Sequence, residues 1–200
     1  MVAMSEICTT VDHAMESTNV TTPRRVRDMR SDDAQLVVGY FRGLSPDDHN
    51  RMGIDPAMMP DDATWIARLQ EDLSRPVAER RGHFVVWEVD GAPVGHSNIG
   101  NLERPSHGHM HLHMWRSGLR AHGHGRVLVL ESVKRYLELF GLQVVYCQPN
   151  AFNVAPNRAL SRAGFEYLET YETMPPGTLN YYQPVTRWAM TRERLAELQR

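Results

Sequence analysis

The feature that most narrows the fold of this chain is one long helix pattern held between two strand patterns. From Gly125 to Phe140, Val129, Val133, Tyr136 and Phe140 recur at helical spacing, with Glu131/Arg135 and Lys134/Glu138 as opposite-charge pairs on the outer side. Ahead of it, Gly108 to Trp115 alternates as a strand does. Behind it, after Gly141, Val144-Val145-Tyr146-Cys147 is continuously apolar, as a strand covered on both faces should be. Strand, helix and buried strand in that order imply a parallel crossover. The residues joining the first strand to the helix then open onto a helix N-terminus, where four backbone amides lack partners.

The remaining segments supply more helices and strands. A short strand near Val26 leads into Ser31-Asp32-Asp33, an N-cap cluster, and a helix carrying Leu36, Val37, Tyr40 and Phe41. Ser45 to Pro60 follows neither period and reads as a loop. Pro60-Asp61-Asp62 opens a second helix with a stripe of Ile66, Leu69 and Leu73, ended before Pro76. The β-branched and aromatic run His83–Val89, the turn Asp90-Gly91 and a second arm from Ala92 to about Asn98 predict a hairpin. A helix over about Ala155–Ala163, strands over Phe165–Thr173 and Val185–Met190, and a charged tail complete the chain. Residues 1–22, polar and without periodicity, read as a flexible extension, and 23–200 as one domain. The sum is an α+β chain with a mixed sheet.

Composition excludes some function classes. With 22 Lys and Arg against 24 Asp and Glu, no overall field draws the chain to nucleic acid or an anionic membrane, so neither is expected as a partner. Two cysteines make no disulfide framework, and there is neither an apolar run of spanning length nor a secretory leader pattern. A cytoplasmic setting is the expectation.

Between the strand ending near Trp115 and the long helix lies Arg120-Ala121-His122-Gly123-His124-Gly125. Glycines that let backbone come close, set at a helix N-terminus with its positive dipole end, suit a phosphate or pyrophosphate, with Arg120 and Arg126 adding charge. The plain alternative is an ordinary strand-to-helix turn. The loop is neither a Walker A sequence nor a G-x-G-x-x-G dinucleotide fingerprint.

This loop resembles the [R/Q]-x-x-G-x-[G/A] acyl-CoA pyrophosphate loop of the GNAT acetyltransferase superfamily. Downstream, Asn153-Val154-Ala155-Pro156-Asn157-Arg158-Ala159-Leu160-Ser161-Arg162-Ala163-Gly164-Phe165 resembles that superfamily's N-x-x-[S/N]-x-x-x-x-x-x-x-G-F segment, particularly in its ribosomal-protein N-terminal acetyltransferase branch, departing from it at Pro156. The element order agrees from Val26 to Met190, while the motifs are confined to about 108–165. The resemblance implies a splayed mixed β-sheet flanked by helices and acetyl-CoA as co-substrate. It also implies pyrophosphate binding by Arg120, His122, Gly123, His124, Gly125 and Arg126. The pantetheine arm would be met by backbone around Met114 and Trp115 and, from the other side, by Asn153. The implied acceptor is a small-molecule amine or a peptide N-terminus, and homodimers are common among such enzymes.

His107, His109, His111 and His113 alternate with Gly108, Met110, Leu112 and Met114, so a strand places four imidazoles on one face. A histidine near the working pH can take the proton an attacking amine must lose. His109 and His111 resemble the H-x-H pair of the serotonin N-acetyltransferases, and His111, then His109, is the expected base. His107 stands far out, and His113 close to the cofactor. The tyrosine that serves as acid in those enzymes falls on Leu160 here, leaving Ser161, Tyr167, Tyr171, Tyr181 and Tyr182 as replacements without a choice among them. Two other readings stay open: a metal-binding protein using the His107–His113 strand, although the H-x-H-x-D-H hydrolase pattern is absent, and an acyl-CoA-binding module without turnover.

Overall fold

In the computed structural model, residues 23–119 and 123–200 are described, so the expected extension over 1–22 and the loop residues Arg120 and His122 lie outside the described residues. Seven strands form one sheet in the order β1-β2-β3-β4-β5-β7-β6. They are β1 (Arg24–Asp28), β2 (His83–Val89), β3 (Ala92–Glu103), β4 (His107–Met114), β5 (Val144–Cys147), β6 (Glu166–Thr173) and β7 (Gln183–Thr191). All neighbours are antiparallel except β4 and β5. That parallel pair is the crossover expected around the long helix, α4 (His124–Phe140).

Helical periodicity explains how α4 seats itself. Val129, Val133, Tyr136 and Phe140 are all buried in the main core, with sheet residues such as Val85, Met110 and Val145. The outward pairing differs from expectation: Arg135 donates from Nε to Asp28 of β1 at 2.9 Å, tying helix to edge strand instead of to Glu131. A second core covers the other face of the sheet, where Val37, Val38 and Phe41 of α1 (Ala34–Arg42) and Leu69 of α3 (Asp62–Ser74) close over Val86. At the β2–β3 turn both Asp90 and Gly91 have positive φ (52° and 73°), the twist a two-residue hairpin needs.

Two segments depart from the sequence reading. Within the expected loop lies a short helix, α2 (Pro46–Met52), started by Ser45, whose Oγ accepts from the Asp48 amide at 3.1 Å, with Pro46 in the first turn. It lacks an apolar stripe, so periodicity could not show it, whereas its cap could. The charged tail likewise forms α6 (Arg192–Leu198), capped by Thr191 and anchored by buried Leu195.

The sheet splays at its centre. β4 and β5 pair only from His107 opposite Val144 to Met110 opposite Cys147. Beyond that point β4 runs on beside β3 alone, and the chain after Cys147 bends toward β7, where the Thr186 amide donates to the Pro149 carbonyl at 3.0 Å. Backbone alternation aims Leu112 and Met114 into the resulting gap, because the Trp115 amide points the other way, to Val94 O at 2.8 Å. Among the described residues no helix is long and apolar enough to cross a membrane.

Candidate active site

A cleft of about 330 Å³ occupies the splay. Leu112, His113 and Met114 form its β4 wall, Gly123, Gly125 and Arg126 its α4 end, and Asn153, Arg158 and Arg162 belong to its α5 side, α5 being Val154–Ala163. Gly123, the N-cap of α4, sits at φ 76°, and a Cβ built there meets nothing within 4 Å among the described residues. A helix of 17 residues thus turns its amino end to the cleft, beside three exposed arginines. Asn153 is buried, and its side chain, instead of capping α5, faces Arg51, whose Nη1 lies 3.4 Å from Asn153 Oδ1.

The side chains of two residues expected at the cofactor do not face the cleft. Trp115 spends its amide on Val94 and its indole N–H on His96 Nδ1 (2.8 Å), on the face away from the cleft. The side chain of His124, the first residue of α4, is buried and does not line the cleft. Conversely, Arg158 and Arg162 were missed, although their i, i+4 spacing in the Asn153–Phe165 segment puts both on one helix face.

The β4 histidines divide from the core as alternation requires: Gly108 and Met110 are buried toward α4, and the four imidazoles face the opposite way. His109, His111 and His113 line a second cavity of about 300 Å³, bounded by α1, α3 and the loop before β7. His107 is not part of it and lies 3.7 Å from Glu103. The sequence reading passed over His96 and Asn98, which β3 sets opposite His113 and His111. His96 and His113 stack with ring centroids 4.6 Å apart, against Phe41 and Tyr40. Met52 and His113 line both cavities, and so form the boundary between them.

Burial keeps this histidine cluster neutral. Desolvation brings His96 down to about 3 and His109 to about 4, each helped by the charge of neighbouring histidines. It also holds His113 well below the ordinary range, and His111 below it, the latter opposed by a hydrogen bond to the Pro176 carbonyl. That bond fixes one ring nitrogen of His111 as donor and leaves the other as acceptor. Unfolded histidines take up protons near pH 6.5, whereas these rings stay neutral at lower pH, so the unfolded chain binds more protons and stability falls as pH drops from about 6.5 toward 4. His96 alone should account for about 2 kcal/mol of loss by pH 5. Urea unfolding at pH 7.5 and pH 5 checks this, and His96→Asn should shrink the difference by that amount.

The acid candidates Tyr167, Tyr171, Tyr181, Tyr182 and Ser161 line neither cavity. The Tyr181 and Tyr182 hydroxyls donate to the carbonyls of Asn50 and Glu172, Tyr171 accepts from Gln148 Nε2 at 2.5 Å, and Leu160 is wholly buried. Tyr40 is the tyrosine that borders the cleft. Among the described residues no three His, Cys, Asp or Glu side chains stand close enough together to hold a metal ion.

Residues 47–165, more than half the chain, match the family model of the acetyltransferase (GNAT) family. No curated protein sequence matches the chain. Among solved structures, spermidine N-acetyltransferase from Vibrio cholerae, in complex with CoA and spermine, superposes with a TM-score of 0.68 at 11% identity, covering 86% of this chain and 98% of that one. An aminoglycoside acetyltransferase in complex with coenzyme A gives 0.66 at 16% identity, covering 89% and 100%. At these identities the likeness is one of fold. With the family model spanning α2 to α5 and the fold shared beyond it, the chain belongs to the acetyltransferase (GNAT) family.

Proposed function

We propose that the protein transfers the acetyl group of acetyl-CoA to the amine of a small molecule, by direct attack in a ternary complex. The observation that carries this reading is the meeting of two cavities at His113 and Met52: one has a helix amino end and arginines, the other a row of neutral histidines. The first fits a phosphorylated ligand with an apolar arm, and the second fits an amine that must lose a proton.

In this reading Gly123, Gly125 and Arg126, with Arg120, His122 and the backbone of His124 in the same loop, hold the pyrophosphate. Arg158 and Arg162 add charge from α5. The Leu112 and Met114 backbone pairs with the pantetheine arm as an added strand would, and Asn153 meets it from the far side. Acetyl-CoA supplies the acetyl group as an activated thioester. His111, already neutral and oriented by Pro176, takes the proton from the attacking nitrogen, with His109 next to it as the second choice. The N–C bond forms, the C–S bond breaks, and the thiolate leaves without a dedicated acid.

A cavity of about 300 Å³ lies at the small end of ligand sites, which favours a small amine over a peptide N-terminus and weakens the link to the ribosomal-protein branch. Calorimetric titration with acetyl-CoA, followed by amine-dependent thiol release, tests the proposal; tight zinc binding without acetyl-CoA affinity would sink it and return attention to the histidine strand. Arg158→Ala/Arg162→Ala should raise KM for acetyl-CoA about tenfold at nearly constant kcat, as expected for two exposed charged contacts. Unchanged KM would remove both arginines from the site.

A further inference from the structure

The acceptor cavity has a charge pattern that narrows its ligand. Among the described residues no aspartate or glutamate lines it. Phe41, Trp65, Phe84, Ile54 and Leu179 give it aromatic and aliphatic walls, and Asn98, Asn101, Asn180 and Thr178 are uncharged. Three histidines share the lining, held neutral as described above. The one permanent charge is Arg81, exposed where the chain enters β2. Its backbone amide donates to Asp72 Oδ1 at 3.3 Å, but the nearby carboxylates of Glu71 and Asp72 pair their charges with Arg75.

A polycation finds no counter-charge here. Each further ammonium brought in would lose water beside neutral rings and a guanidinium of like sign. Register also supplies a ruler. Phe84 lies across from Asn98, and Asn98 across from His111, so β2 runs two strand spacings, about 10 Å, to the side of His111, and Arg81 stands in the bend ahead of it. An α-amino acid, with its carboxylate directly beside its amine, is too short to reach both.

We infer that the acceptor is a small monoamine whose flat apolar body separates the amine, at His111, from a carboxylate, at Arg81. The body lies among Phe41, Trp65 and Phe84, and the asparagines serve polar ring substituents. This rests on the acetyl-transfer reading above and adds to it the class of acceptor.

Thiol release from acetyl-CoA is measured with 4-(aminomethyl)benzoate, benzylamine and spermidine, on the wild-type chain and on Arg81→Ala, alongside acetyl-CoA calorimetry. The carboxylated amine should exceed benzylamine in kcat/KM by about fivefold, the worth of one exposed ion pair. Spermidine should fall at least about tenfold below benzylamine. Arg81→Ala should erase the advantage of the carboxylate, bringing the two aromatic amines to equal kcat/KM. Spermidine as the best substrate, equal rates for the two aromatic amines, an equal loss for both in Arg81→Ala, or turnover of none of the three overturns the assignment. If acetyl-CoA still binds in that event, only the acceptor class has failed; if it does not, the acetyl-transfer reading has failed with it.

Discussion

Gly123→Glu is expected to abolish acetyl-CoA binding while leaving the chain folded. The site has positive φ (76°), so any side chain brings some strain, of order 1–2 kcal/mol. Among the described residues space is not the difficulty: a Cβ at this position meets none of their atoms within 4 Å. What the glutamate would meet is the ligand, since its carboxylate enters the space before the α4 amides that the pyrophosphate is proposed to occupy. A loss of about 100-fold or more in affinity, roughly 3 kcal/mol, should appear in calorimetry. Gly123→Asn, a residue that tolerates left-handed backbone, separates strain from charge and should lose much less. Unchanged affinity in a folded Gly123→Glu would move the phosphate seat away from this turn.

The second large effect concerns the histidine strand. His109→Ala/His111→Ala is expected to lower kcat by about 100-fold or more, the usual contribution of a positioned base, without changing acetyl-CoA affinity. Most of the loss should come from His111, whose free ring nitrogen is oriented by the bond to Pro176. Burial lowers the proton affinity of His111, so the wild-type rate should begin to fall only below about pH 6.5. In the double variant that limb disappears and the rate follows the ionisation of the free amine. A pH profile identical to wild type would remove the base assignment, and a full loss in His113→Ala alone would transfer it to the residue at the boundary of the two cavities.

Much of the fold was legible because its signals are local. The stripe of Val129, Val133, Tyr136 and Phe140, the apolar run Val144–Cys147 and the Asp90-Gly91 turn each state their structure within a few residues, and all three hold in the structure. Alternation alone placed the β4 histidines on one face. The helix Pro46–Met52 was missed because it buries no stripe, and its only signal is the Ser45–Asp48 cap.

The site was legible only in part, for a reason of distance. That Trp115 would turn its indole to His96 depends on β3, nineteen residues away in the chain. Arg81 reaches the acceptor cavity only because β2 and β3 carry it to the level of the histidines. The sequence by itself determined the crossover unit, the glycine turn at the head of α4 and the single face of histidines, since each follows from spacing and backbone conformation along one stretch of chain. Only the tertiary structure decided that β4 and β5 part at Met110 and Cys147, that His113 and Met52 divide the two cavities, and that no acidic side chain among the described residues lines the acceptor side. Those are facts of packing between strands and helices distant in sequence, and no local pattern encodes them.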